Sequence, residues 1–181
     1  MAKQMKRTTL ILAVLTSGLW ILYLNFNHGI LLSTAITAST FLYHFGMRLV
    51  TGTAVNVIMQ NHADYNSPWF RQKKWEPQLY KRLHVKNWKK HLPTYDPDAF
   101  DSTKHSLDEI ARAMCQSEIV HEIIVPLSFL PLLAVKYTGA FPVFLITSLL
   151  AAAFDLSFVI IQRYNRPRII KIINKKNRTQ S

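Results

Sequence analysis

A few ionisable residues stand inside apolar stretches, where charge is costly, and their spacing is helical. His44 and Arg48 are four apart, and Glu118, His121 and Glu122 fall at i, i+3 and i+4, so each set shares one helix face. Asp155 is the single charge of another apolar run, about two helical turns before Arg163. Tyr164, Asn165, Arg166 and Arg168 follow at once. An imidazole titrates near neutrality, and a carboxylate one turn away can orient it, which suits general acid–base work. His44, His121, Glu118, Glu122 and Asp155 are also of metal-ligand type. Neither an HxxxH nor an HExxH spacing is present, so no metal is expected. Plain anchoring is the alternative. Arg48 would reach for the interface, and Glu118–Arg or Asp155–Arg pairs would neutralise buried charge.

These residues need elements to position them, and composition says which. The chain has 181 residues, a net charge of +12 and 49% hydrophobic residues. That apolar content excludes a disordered basic tail. Cys115 is the only cysteine, so a disulfide scaffold is excluded. It has no conspicuous neighbouring base, and a packing role is expected for it. Five glycines and eight prolines exclude a collagen-like or linker-rich chain.

Residues 8–47 contain no Asp, Glu, Lys or Arg. About 20 apolar residues cross a hydrocarbon core, so this stretch holds two spans, 8–24 and 30–51, joined by a turn at Asn27-His28-Gly29. Two later runs, 119–136 and 141–161, make four. The third contains Pro126 and Pro131, which membrane helices tolerate. Lys3, Lys6 and Arg7 resemble the start of a signal peptide, but no small-x-small site closes the stretch and a second span follows, so cleavage is not expected.

Three basic residues precede the first span, ten lie from Arg71 to Arg112, and seven from Arg163 to Arg178. Only Lys136 falls in the turns between the paired spans. Basic residues mark the cytoplasmic side. The expected fold is therefore all-α and integral to the cell membrane: one domain, 1–181, with four transmembrane helices, both termini cytoplasmic, and a basic, aromatic-rich cytoplasmic segment at about 61–117. In that orientation His44, Arg48, Glu118, His121, Asp155 and Arg163 all fall near the inner interface, a suitable level for an amphiphilic substrate.

In the central segment Tyr65, Trp69, Phe70, Trp75, Tyr80, Trp88 and Tyr95 interleave with Arg71, Lys73, Lys74, Lys81, Arg82, Lys86, Lys89 and Lys90. Such a pattern could bind nucleic acid. With spans on both sides, anionic lipid headgroups are the expected partner instead, and no nucleic acid is expected. The phosphates of a soluble donor, an acyl-CoA or an acidic carrier protein, are a third possibility. Asp96-Pro97-Asp98 marks a turn. Ser106 and Glu109 have capping-box spacing at the start of a helix that leads into the third span.

Three stretches resemble one family: 159–169 (VIIQRYNRPRI), 69–93 with its Val85-Lys86-Asn87-Trp88-Lys89 core, and Glu118-Ile119-Val120-His121 before the proline-bearing span. They are similar to the glycosyl-diaponeurosporenoate acyltransferases, small bacterial membrane proteins of carotenoid biosynthesis. The resemblance covers about two thirds of the chain, with Gln162 to Arg168 its most specific block. It implies transfer of a fatty acyl group to a sugar hydroxyl of a glycosylated C30 carotenoid acid, the last step toward staphyloxanthin, or to a related glycolipid. No cofactor is implied beyond the acyl donor, an acyl-CoA or acyl-carrier protein, as co-substrate. On this reading His121 is the base and Glu118 its orienting partner, with His44 and Arg48 as the alternative pair. Arg163, Arg166 and Arg168 would bind donor phosphates or the developing oxyanion, with Tyr164, Asn165, Asp155, Trp75, Trp88 and Lys89 also at the substrate. The competing readings are a membrane methyltransferase, for which no cofactor signature is present, and a non-catalytic lipid-binding or assembly protein.

Overall fold

A computed structural model describes residues 2–93 and 96–180. Among them every regular element is helical. The α-helices are α1 (Ala2–Phe26), α2 (Gly29–Met59), α3 (Glu76–Arg82), α4 (Val85–Trp88), α5 (Leu107–Leu127), α6 (Val135–Thr138) and α7 (Phe141–Gln180). Short 3-10 turns lie at Pro68–Phe70, Lys89–His91, Asp98–Phe100 and Leu130–Ala134. Four helical stretches are long and apolar enough to cross a membrane: Ala2–Phe26, Gly29–Met59, Leu107–Thr138 and Phe141–Thr179. Tyr95, one of the aromatic series, lies outside the described residues.

The four spans fall where hydropathy puts them, but their helices are longer. α2 runs past residue 51 to Met59, and α7 past residue 161 to Gln180. Hydropathy registers lipid compatibility, whereas the backbone ladder continues through polar residues of good helix propensity. The third span differs in another way. It begins at Leu107, where the Ser106 amide donates to Glu109 Oε2 (2.8 Å) and the Glu109 amide donates to Ser106 Oγ (3.3 Å), a reciprocal capping box. It then breaks after Leu127, because Pro126 and Pro131 lack the amide donors a continuous helix needs. The chain passes through a 3-10 turn and α6, then turns at Gly139 with φ 67. That left-handed conformation suits glycine. The first two helices are joined by Asn27 and His28, with Asn27 at φ 44.

The fold divides into two compact units. One comprises Met1–Thr53 and Ile123–Asp155, the other Ala54–Glu122 and Leu156–Ser181. In the first, hydroxyls inside the spans bond back along their own helix. Thr34 and Thr37 donate to the carbonyls of Ile30 and Ser33 at 2.7 and 2.9 Å, so they cost little in an apolar setting. Trp20 Nε1 donates to Ser39 Oγ (2.9 Å), tying α1 to α2, and Tyr43 donates to the carbonyl of Leu127 (2.7 Å), the last residue of α5. Helix ends leave carbonyls without partners, and this phenol meets one. Leu10, Val14, Leu24 and Phe26 of α1 are exposed, as lipid-facing residues would be.

In the second unit Cys115 is buried with Ala63 and Phe70, and Met59, Tyr65 and Ile119 pack against them. The thiol thus sits in apolar packing. Tyr65 reaches out to Asp108 (2.6 Å), and that bond to a carboxylate raises the phenol's pKa above its ordinary value, with burial adding to the shift.

Candidate functional site

The ionisable residues of the spans form two groups, one in each unit. In the first unit Arg48 on α2 forms an ion pair with Asp155 on α7 and donates to the carbonyl of Ala151 (3.3 Å). Its Nη1 donates to the carbonyl of His44, one turn away (2.8 Å). His44 is 4% exposed, and neither of its ring nitrogens has a hydrogen-bond partner. Buried polar groups are normally satisfied, so this imidazole is a costly feature that function could justify.

The second unit holds a denser arrangement. Glu118 on α5 is fully buried, with one carboxylate oxygen 2.6 Å from Arg163 Nη1 and the other paired to Arg166. Arg163 also grips Glu76 at the start of α3, with Nη2 to Oε1 at 2.6 Å. Glu76 Oε2 in turn accepts from Tyr80 (2.7 Å). Two carboxylates therefore balance two guanidiniums. The two guanidiniums also hold a loop: Arg163 donates to the carbonyls of Trp69 (3.2 Å) and Arg71 (3.1 Å), and Arg166 to that of Phe70 (2.5 Å), whose ring it also covers at 5.0 Å. The loop's Pro68–Phe70 turn cannot satisfy these carbonyls within itself, and arginine's fork can meet several acceptors at once. Burial, with the bond to Glu76, drives the Tyr80 phenol far above its ordinary pKa.

His121, one turn from Glu118 on α5, is half-buried and stacks on Phe158, with ring centroids 4.6 Å apart and planes 12° apart. Glu122, next along, accepts from Trp69 Nε1 (2.9 Å). Lys89 Nζ donates to Asn165 Oδ1 (2.7 Å) and lies 4.8 Å from the Tyr164 ring. Arg168 covers the same ring at 3.9 Å and is exposed. Trp88 donates to the carbonyl of Leu83 (2.8 Å), and Trp75 stands exposed before α3. Arg163 and Arg166 thus spend their charge inside the unit, and Arg168 is the arginine of this block left facing outward.

Sequence reasoning missed Glu76. Its signal was available: it is the only acid between Arg71 and Lys90, and Pro77 after it marks a helix start. A His-x4-Asp spacing is present in the sequence, His91 to Asp96, and both side chains are exposed. Among the described residues no cluster of three or more His, Cys, Asp or Glu could hold a metal ion.

Residues 66–175 match the family described as glycosyl-4,4'-diaponeurosporenoate acyltransferase. No curated protein and no solved structure matches the chain. The matched stretch contains Glu76, Glu118, His121, Asp155 and the three arginines Arg163, Arg166 and Arg168, but neither His44 nor Arg48. Since it spans more than half of the sequence, the chain belongs to the glycosyl-4,4'-diaponeurosporenoate acyltransferase family.

Proposed function

We propose that the protein esterifies a sugar hydroxyl of a glycosylated carotenoid, or a related glycolipid, with a fatty acyl group at the cell membrane. The observation that carries this reading is the family match over residues 66–175, the stretch that holds the buried Glu76–Arg163–Glu118–Arg166 frame. Both termini and the segment between α2 and α5 face the cytoplasm on this reading, because the basic residues gather there. The acceptor's polyene rod lies among the spans, its sugar at the inner interface, and the donor approaches from the cytosol.

His121 takes the proton from the attacking sugar hydroxyl. The hydroxyl oxygen adds to the donor's thioester carbonyl, the carbon–sulfur bond breaks, and the departing sulfur receives the proton from His121 as a thiol. A positioned base of this kind contributes about 10²–10⁴-fold. Glu118 shares the helix face of His121 one turn away and is held by its two arginines, and the Phe158 ring stacks on the imidazole. His44 is the second candidate base, favoured by its two buried, unpartnered nitrogens beside the Arg48–Asp155 pair.

Lipid extracts from cells carrying the wild-type gene, no gene, His121→Ala or His44→Ala, compared by mass spectrometry, test this reading. A glycosylated carotenoid heavier by one fatty acyl chain is expected with the wild type and absent with His121→Ala. A gain of fourteen mass units would instead indicate methylation, and no change would indicate a binding protein. Full product from His121→Ala, with none from His44→Ala, would move the base to His44.

A further inference from the structure

Beyond the ion-pair frame, α7 carries Tyr164, Pro167, Arg168 and Lys171 at i, i+3, i+4 and i+7, a single helical stripe. In the second unit this stripe forms one wall of a cavity of about 470 Å³. Lys81 and His84, with Lys86, stand on the other wall. His84 adopts φ 51, and that left-handed residue separates α3 from α4, so that lysines from both helices line the same space. The two walls meet through Tyr80 and Tyr164, edge to face at 5.5 Å and 86°. Tyr80 is anchored beneath by Glu76, so the cavity is tied to the buried frame.

Its electrostatics are one-sided. Lys81, Lys86, Arg168 and Lys171 line it, and no carboxylate does. Among the described residues none of these four cations has an ion-pair partner. The contrast with Arg163 and Arg166, both neutralised internally, is sharp. Like charges gathered around a concavity repel one another, and a bound polyanion relieves that repulsion.

We propose that this cavity binds the phosphorylated head of a coenzyme A thioester, the acyl donor of the reaction proposed above, on which this inference rests. The head's 3'-phosphate and diphosphate bring about four negative charges, close to the four unpaired cations. A lipid headgroup with one phosphodiester brings about one and needs no concavity. The volume falls in the range of about 300–1,000 Å³ typical of small-ligand sites.

The test uses the full chain, purified and placed in discs of phosphatidylcholine. Calorimetric titration with coenzyme A, with dephospho-coenzyme A and with pantetheine should give affinities in that falling order, with pantetheine showing no binding. Arg168→Gln and Lys171→Gln should each weaken coenzyme A by about tenfold, the effect of one charged contact, while Lys171→Arg keeps the affinity. Equal binding of pantetheine and coenzyme A would overturn the proposal. So would wild-type affinity in the double glutamine variant, or displacement of coenzyme A by phosphatidylglycerol added to the discs. Coenzyme A bound at these residues without any acylated lipid in cells would retain the site and reject the reaction. Acylated lipid made at wild-type levels by the double variant would retain the reaction and reject the site.

Discussion

A carboxylate without water around it must be neutralised, and Glu118 is met by two guanidiniums from α7. Removing its charge leaves Arg163 with Glu76 alone and Arg166 with no carboxylate. Glu118→Gln should therefore lower stability by about 3–5 kcal/mol, read by denaturant or thermal unfolding in detergent. His121→Ala should behave differently, losing acyl transfer, with about 1 kcal/mol of stability lost through its stacking on Phe158. Tyr80 makes a pH prediction. Its folded pKa is raised above 10, the unfolded value, by burial first and by Glu76 second. The neutral phenol's contribution is thus complete below pH 10 and declines as pH rises above it, since only the unfolded state then ionises. Tyr80→Phe should flatten the alkaline fall in stability and cost about 1 kcal/mol at neutral pH through the lost bond. Much of this site was legible in the sequence. Arg163, Arg166 and Glu118 stand out as charges beside apolar runs, and arginine–carboxylate neutralisation of Glu118 was foreseeable. Glu76 stands out as a lone acid in a basic stretch, but its pairing does not, because its partner lies 87 positions away and only folding brings Arg163 to it.

At the level of elements, helix starts and stops follow from a few side chains. α5 begins at the Ser106–Glu109 capping box, and both the box and its position are readable from four residues. Ser106→Ala should cost about 1 kcal/mol and speed amide exchange in the first turn, residues 107–110, while leaving later turns of α5 protected. The far end is less legible. Hydropathy joins residues 119–136 into one span, whereas the backbone breaks at Leu127 and resumes as a 3-10 turn, because prolines withhold hydrogen bonds without lowering hydropathy. Gly139 closes this passage at φ 67, where any side chain is strained even though open space surrounds its Cβ position. Gly139→Ala should lower stability by about 1 kcal/mol for this backbone reason alone. The stripe on α7 is legible too, since Tyr164, Arg168 and Lys171 repeat at helical spacing. What faces it is not, because α3 and α4 meet at a left-handed histidine that propensity does not announce.

For the molecule as a whole, the charge of +12 is gathered in a few segments between apolar helices. Three basic residues lie before residue 8, ten between Arg71 and Arg112, and seven from Arg163 onward, all on segments that share one face in the topology proposed above. In that topology Lys136 is the single basic residue on the other, and Arg48 is held by Asp155. Translocating a lysine-rich segment is unfavourable, so this distribution predicts one orientation. The one native thiol, Cys115, is fully buried, so replacing it with alanine gives a silent background at small cost. Single cysteines can then be placed at exposed positions in that background. Asn27→Cys, between α1 and α2, and Tyr137→Cys, before α7, should react with a membrane-impermeant maleimide on intact cells. Lys3→Cys, Lys90→Cys and Lys175→Cys should react only after the membrane is opened. Labelling of Lys90→Cys on intact cells would invert the orientation, and with it the side from which an acyl donor can reach the cavity between α7 and the α3–α4 corner.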